Sequence, residues 1–262
     1  MKKNISIFLF LFLMGIGSIY AQMSADDIAG RASHMGYYQD KDGRSQAKMV
    51  ITDSQGRRRE RQMTILRFNI SDNGDQKYYV YFDKPSDVKG MAYIVWKHLS
   101  KDDDRWLYLP ALDLVRRVAS SDKRSSFAGT NFLYEDVSGR SVNLDNHELL
   151  SSEGDSYMIK NTPKDADQVE FSYYQVQVDK GNFIPLKAEY YDKEGKLYRI
   201  VEAAEIKEIQ GYPTIVKMIA QDLNSGSSTT AEFTDISYGI GINDSIFTER
   251  YLRNPPMQWI KG

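Results

Sequence analysis

The sequence predicts a mainly β fold with a few helices, built as an antiparallel meander of hairpins. Runs rich in Tyr, Val, Ile and Phe, such as "KYYVYF" and "MAYIVW", alternate with Gly, Pro, Asn and Asp clusters at a spacing of roughly 8–12 residues. Segments with helical periodicity are few. The 18 tyrosines, 11 phenylalanines and 3 tryptophans favour strands and amphipathic surfaces.

Residues 1–21 have the layout of a cleavable signal peptide. Lys2 and Lys3 form a basic start, Ile5 to Ile19 an apolar run, and Ala21 a small residue at the cleavage point. The run is short for a membrane span of roughly 20 residues, which argues against an anchor. Residues 22–262 then form a single exported domain, and no later segment is apolar enough to cross a bilayer. The chain has no cysteine, so disulfides and acylation at a cysteine are both excluded and the core alone must hold the fold.

In "SADD", Ser24 and Asp27 approximate a capping box, and Ile28, Ala32 and Met35 follow at helical spacing. A helix is expected over about 25–36. "AKMVITDSQGRRRERQMTILRF" reads as a hairpin around Ser54–Gly56. The next hairpins turn at Pro85–Gly90 and at Asp102–Asp104, and those of the second half at Lys180–Asn182, Lys193–Lys196, Gln210–Pro213 and Asn224–Ser227. Residues 119–152 break this rhythm. They are rich in serine and poor in β-branched residues, and they predict loops with one or two short helices. An insertion of that length in a sheet domain is usually functional, often a lid.

The stretch "RWLYLPALDLVRR" at 105–117 poses the main structural question. Trp106 and Tyr108 share one strand face, while Leu107 and Leu109 share the other. Likewise Tyr79 and Tyr81 oppose Tyr78, Val80 and Phe82. A strand that is apolar on both faces needs cover on both. The domain's own core supplies one cover. The other is either a layer of helices or the interior of a sheet curved around an apolar space.

Charge and motifs narrow the function classes. A formal net charge of −2 does not suit a nucleic-acid binder. There is no G-x-S-x-G elbow and no cysteine, and His34, His98 and His147 are scattered, so no catalytic residue, cofactor or metal is expected and a hydrolase on lipid or glycan is disfavoured. "KDDDR" at 101–105, "DKDG" at 40–43 and "DKEG" at 192–195 lack the alternating ligands and distal glutamate of a calcium loop, and read as solvated turns. "GRRRER" at 56–61 reads as a protected edge strand or as a docking stripe for an acidic partner. Arg105, Arg116, Arg117, Lys123 and Arg124 flank the apolar stretch. The planar fork of arginine suits phosphate, which makes Arg105, Arg116, Arg117 and Arg124 candidate headgroup or partner contacts, though solubilising charge explains them equally.

"DRWLYLPALDLVRRV", "FAGTNFLYEDV", "VDKGNFIPLKAEYYDKEGKLYR" and "TTAEFTDISY", in that order, resemble the outer-membrane lipoprotein-sorting protein-like family over roughly residues 24–260. The resemblance implies a fold of the LolA, LolB and RseB type. That is a strongly curved antiparallel sheet, an incomplete β-barrel, with helices covering or plugging the concave face. It implies a soluble, non-catalytic periplasmic protein that carries lipid or acylated cargo in an apolar cavity toward the outer membrane. Expected partners are that cargo, an inner-membrane transporter and an outer-membrane acceptor; a monomer is expected, with no nucleic acid. The alternative is a binding or sensor module, or an accessory partner of an inner-membrane exporter. Candidate cavity or lid residues are Tyr79, Tyr81, Trp96, Trp106, Tyr108, Phe127, Phe132 and Tyr134. Such a site needs area more than polar chemistry, since each buried methylene gains about 0.8 kcal/mol.

Overall fold

The computed structural model describes residues 23–261. The expected leader, residues 1–21, lies outside them.

The first element is the expected helix, α1 (Ala25–Tyr37). The Asp27 backbone N–H donates to Ser24 Oγ at 3.1 Å, and the Ser24 hydroxyl donates to Asp27 Oδ2 at 2.7 Å, so the cap closes on itself. Ile28, Ala29 and Ala32 form the buried face and pack on Ile159 and Val178 of the sheet.

The rest is one sheet of thirteen strands: β1 (Asp42–Thr52), β2 (Arg58–Asn69), β3 (Gln76–Lys84), β4 (Ala92–Lys97), β5 (Asp104–Leu109), β6 (Leu114–Arg117), β7 (Asp145–Ser151), β8 (Ser156–Pro163), β9 (Phe171–Asp179), β10 (Pro185–Asp192), β11 (Leu197–Ile209), β12 (Tyr212–Asp222) and β13 (Ser227–Tyr238). Every pairing is antiparallel, in the order β6-β5-β4-β3-β2-β1-β13-β12-β11-β10-β9-β8-β7. β1 meets β13 in the middle of the sheet. The consecutive strands β6 and β7 form its two edges, so the sheet is open and curved, as the sequence led us to expect.

Residues 118–144 therefore run from one edge of the sheet to the other. They hold the short helix α2 (Tyr134–Ser138) and 3-10 turns at Ser120–Asp122 and Val142–Leu144. The expected insertion of 119–152 is too long at its C-terminal end, because Asp145–Ser151 is β7. This edge strand has one hydrogen-bonded neighbour, and after the buried Asp145 it alternates exposed with half-buried positions, without β-branched residues. The turn expected at Gln210–Pro213 is also shorter. Gln210 and Gly211 both have positive φ, at 53° and 83°, and form a tight hairpin turn, so Pro213 lies inside β12.

The two-faced strands are covered on both sides by the chain itself. On the inner face, Tyr78, Val80, Phe82, Tyr93, Val95 and Leu107 pack against Phe127, Phe132 and Tyr134 of the 118–144 strap. On the outer face, Leu66, Tyr79, Ala92 and Ile94 pack beneath Ile242, Ile246, Phe247, Leu252 and Ile260. This C-terminal segment contains α3 (Arg250–Arg253) and α4 (Met257–Ile260). The buried carboxylate of Asp42 fixes where it begins, accepting the N–H groups of Ile240, Gly241 and Ile242 at 2.9, 3.1 and 3.1 Å. Tyr79 Oη donates to Tyr251 O at 2.8 Å, Trp96 Nε1 to Phe247 O at 2.6 Å, and Arg44 Nη2 to Ile260 O at 3.0 Å.

Candidate functional site

A cavity of about 380 Å³ lies between α1, the strap and the inner face of the sheet. One half of the sheet contributes Met49, Ile65, Tyr78 and Val80; the other contributes Val176, Val178, Val201, Met218 and Phe233. Phe127 and Phe132 close it from the strap, and Ala29, Ala32 and Gly36 from α1. These side chains converge because strand alternation sends every second residue to the concave face. The volume falls in the lower part of the range for small-molecule sites, and the wall is mostly apolar with a few polar groups.

The strap is held over the cavity by buried ion pairs. Glu135, with a side chain 4% exposed, accepts from Arg124 Nη1 at 3.0 Å and Arg140 Nη1 at 3.2 Å. Arg124 continues to Glu170 at 2.8 Å and Arg140 to Asp145 at 2.9 Å, while Arg199 of β11 pairs with Asp136 of α2. Burial pushes the Glu135 carboxyl up, but the flanking guanidiniums outweigh it and hold the group below its ordinary value. Asn131 adds neutral bonds to β13, from Nδ2 to Ser227 Oγ at 2.7 Å and from Thr229 Oγ1 to Asn131 Oδ1 at 2.8 Å. Beneath α2, Lys97 is 1% exposed and donates to Ser138 O at 2.8 Å; burial pushes its ammonium down to about 8.

The residues singled out from sequence fall into separate places. Phe127 and Phe132 line the cavity. Tyr134 packs tilted against Tyr93 and edge-on against Phe127 in the layer behind it, with ring centroids 5.2 and 5.5 Å apart. Tyr79, Tyr81, Trp96, Trp106 and Tyr108 lie on the opposite sheet face, under the C-terminal segment and not in the cavity wall. Arg105 is buried and pairs with Asp103 at 2.6 Å, and Arg124 belongs to the strap network. Arg116 and Arg117 are exposed on the edge strand β6, where Arg117 pairs with Asp104 and covers the Trp106 ring. The three aspartates of "KDDDR" do not converge: Asp103 serves Arg105 and the His98 N–H, Asp104 serves His98, Lys101 and Arg117, and Asp102 is exposed. The histidines sit apart. His34 contacts Asn73, His98 bridges Asp75 and Asp104, and His147 lies between Asn161 and the Val142 carbonyl.

The cavity walls that sequence reading missed are the opposite parity of β3, at Tyr78 and Val80, and the far half of the sheet. The alternation in "FSYYQVQV" places Val176 and Val178 on one face, but alternation alone does not say which face is concave.

A family model described as an uncharacterized protein family matches residues 74–254, more than half of the chain. No curated protein matches. Among solved structures, a DUF1329 family protein from Desulfovibrio piger is 29% identical, with 87% of this chain and 97% of that one covered and a TM-score of 0.80. A domain described as an outer membrane lipoprotein-sorting protein, from Vibrio parahaemolyticus, is 27% identical, with 87% and 98% covered and a TM-score of 0.79. A LolA superfamily protein from Nitrosomonas europaea, 20% identical over 88% of this chain and 100% of that one, has the same fold at a TM-score of 0.69. No helix among the described residues is long and apolar enough to cross a membrane.

Proposed function

The chain belongs to the outer-membrane lipoprotein-sorting protein-like family, and on that premise we propose that it is a non-catalytic periplasmic carrier of lipid or acylated cargo. In this reading residues 1–21 direct export and are removed, and residues 22–262 form the carrier domain. Cargo is collected at the inner membrane and delivered toward the outer membrane. The observation that carries the reading is the cavity of about 380 Å³ with apolar walls from both halves of the sheet. An acyl chain there exchanges water for Met, Val and Phe side chains. A dozen methylenes amount to on the order of 10 kcal/mol before association costs.

Native mass spectrometry of the protein from a periplasmic extract, followed by lipid analysis of an organic extract, tests the proposal. A stoichiometric acyl-bearing adduct is expected. A clean apo mass, together with no uptake of a fluorescent fatty acid, overturns it. A second reading is a binding or accessory module that docks on an inner-membrane exporter without carrying cargo. The buried ion pairs that hold the strap across the cavity favour it. Co-purification with such an exporter, with the cavity empty, is its signature.

A further inference from the structure

Of the cations in the cavity wall, Arg67 is the one among the described residues whose head stays on the inner face with no carboxylate partner. Arg140 is neutralised by Glu135 and Asp145, Asp136 by Arg199, and Lys187 by Glu189 at 2.5 Å, with Glu202 opposite Lys187 in register. Arg44 turns its guanidinium to the outer layer, toward the Ile260 carbonyl. Arg67 stands half-buried on the inner face of β2, beside Tyr78, and has no carboxylate within ion-pair distance among the described residues. It donates only to neutral oxygens: Asn69 Oδ1 at 2.7 Å, Asp40 O at 3.3 Å, and Gln39 O. These occupy three of the five N–H groups of a guanidinium.

Gln39, adjacent and 6% exposed, lines the same cavity. Its Nε2 donates to Met35 O at 2.8 Å and Pro213 O at 2.7 Å, which fixes the orientation of the amide. Its Oε1 is left buried without a hydrogen-bond partner. A cation without a counter-ion and an orphaned acceptor are each costly away from water. A negatively charged ligand group relieves the first cost, and a hydroxyl or amide hydrogen beside it, where the ligand carries one, relieves the second. The arginine fork is suited to carboxylate and phosphate alike.

We propose that this polar end of the cavity, built on Arg67 and Gln39, is a headgroup subsite that selects acyl ligands with an anionic head, a carboxylate or a phosphate ester, over neutral ones. The inference rests on the carrier reading. It is tested by displacing a cavity-bound fluorescent acyl probe from the full mature chain at pH 8 with palmitate, hexadecyl phosphate and hexadecanol, which share one chain length. At least one anion should bind tenfold or more tightly than hexadecanol. Arg67→Gln should weaken the anions and bring the three ligands within about twofold of one another, with an unchanged far-UV spectrum showing that the variant is folded. Gln39→Glu, which keeps the arginine but sets a carboxylate beside it and gives up the donor bonds to Met35 O and Pro213 O, should weaken the anions about tenfold and more than it weakens hexadecanol. Equal affinity of the wild type for all three ligands overturns the subsite and leaves the carrier reading intact. Failure of all three to bind overturns both. Anion preference retained in both folded variants, or displacement by inorganic phosphate alone as effective as by hexadecyl phosphate, also overturns the proposal.

Discussion

Glu135 and Lys97 are buried charges of opposite sign near α2, and each couples folding to pH. The folded Glu135 carboxyl is held below its unfolded value. Its contribution is therefore fully present above the unfolded glutamate pKa of about 4.3 and is lost as pH falls through the lower folded value. Glu135→Gln leaves Arg124 and Arg140 facing a neutral amide, and breaking a buried pair of this kind costs about 3–5 kcal/mol. Urea midpoints should fall sharply at pH 7 and depend less on pH below 5 than in the wild type. Lys97 runs the other way. Its folded value is pushed to about 8 from 10.5, so between those values the unfolded chain binds more protons and stability rises with pH. The full effect is on the order of 3 kcal/mol. Lys97→Met should remove the rise between pH 8 and 10. Above that window the buried tyrosines, raised by burial, act in the opposite direction.

At the scale of elements, the outer apolar face depends on the C-terminal segment. Phe247 is fully buried beside Phe68, with ring centroids 6.0 Å apart, and its carbonyl accepts from Trp96. Phe247→Ala should cost about 3–5 kcal/mol and shift tryptophan emission to the red as Trp96 and Trp106 gain water. The strap is tied at both ends by the ion pairs and by Asn131. A disulfide engineered between Asn131→Cys and Ser227→Cys, in a chain that otherwise lacks cysteine, would fix it to β13. Because opening the strap means separating buried ion pairs, acyl-probe uptake should proceed without that opening. Uptake rates should stay within about twofold before and after reduction, and a rate restored only on reduction would identify the strap as the moving gate.

For the whole molecule, the proposed carrier function depends on the space left between two halves of one sheet. Met218 lines that space from β12. Met218→Trp should lower acyl-probe affinity at least tenfold while thermal stability changes little, since the added volume goes into a cavity and not into packed core. An affinity unchanged in the folded variant would place the acyl site elsewhere.

Alternation and turn chemistry were enough to read the strands, α1 with its Ser24 cap, the mainly β class, and the break in rhythm near residue 119, because these are set by neighbours within a few residues. The strand edges that depend on pairing, such as β7, were not legible, because polar residues form a strand there only when β8 supplies the partner. The cavity was half legible. Phe127 and Phe132 were named from the insertion, yet on β3 to β5 the aromatic residues chosen, Tyr79, Tyr81, Trp96, Trp106 and Tyr108, lie in the outer layer. A strand with two apolar faces carries no local mark of which face is concave. That was decided by residues far along the chain: Ile242 to Ile260 folding back over one face, and α1 and the strap crossing the other. Two apolar faces and a family pattern can be read along the chain. Which face encloses a cavity, and that Arg67 stands on it without a counter-ion, follow from long-range packing, because both depend on contacts that sequence spacing does not encode.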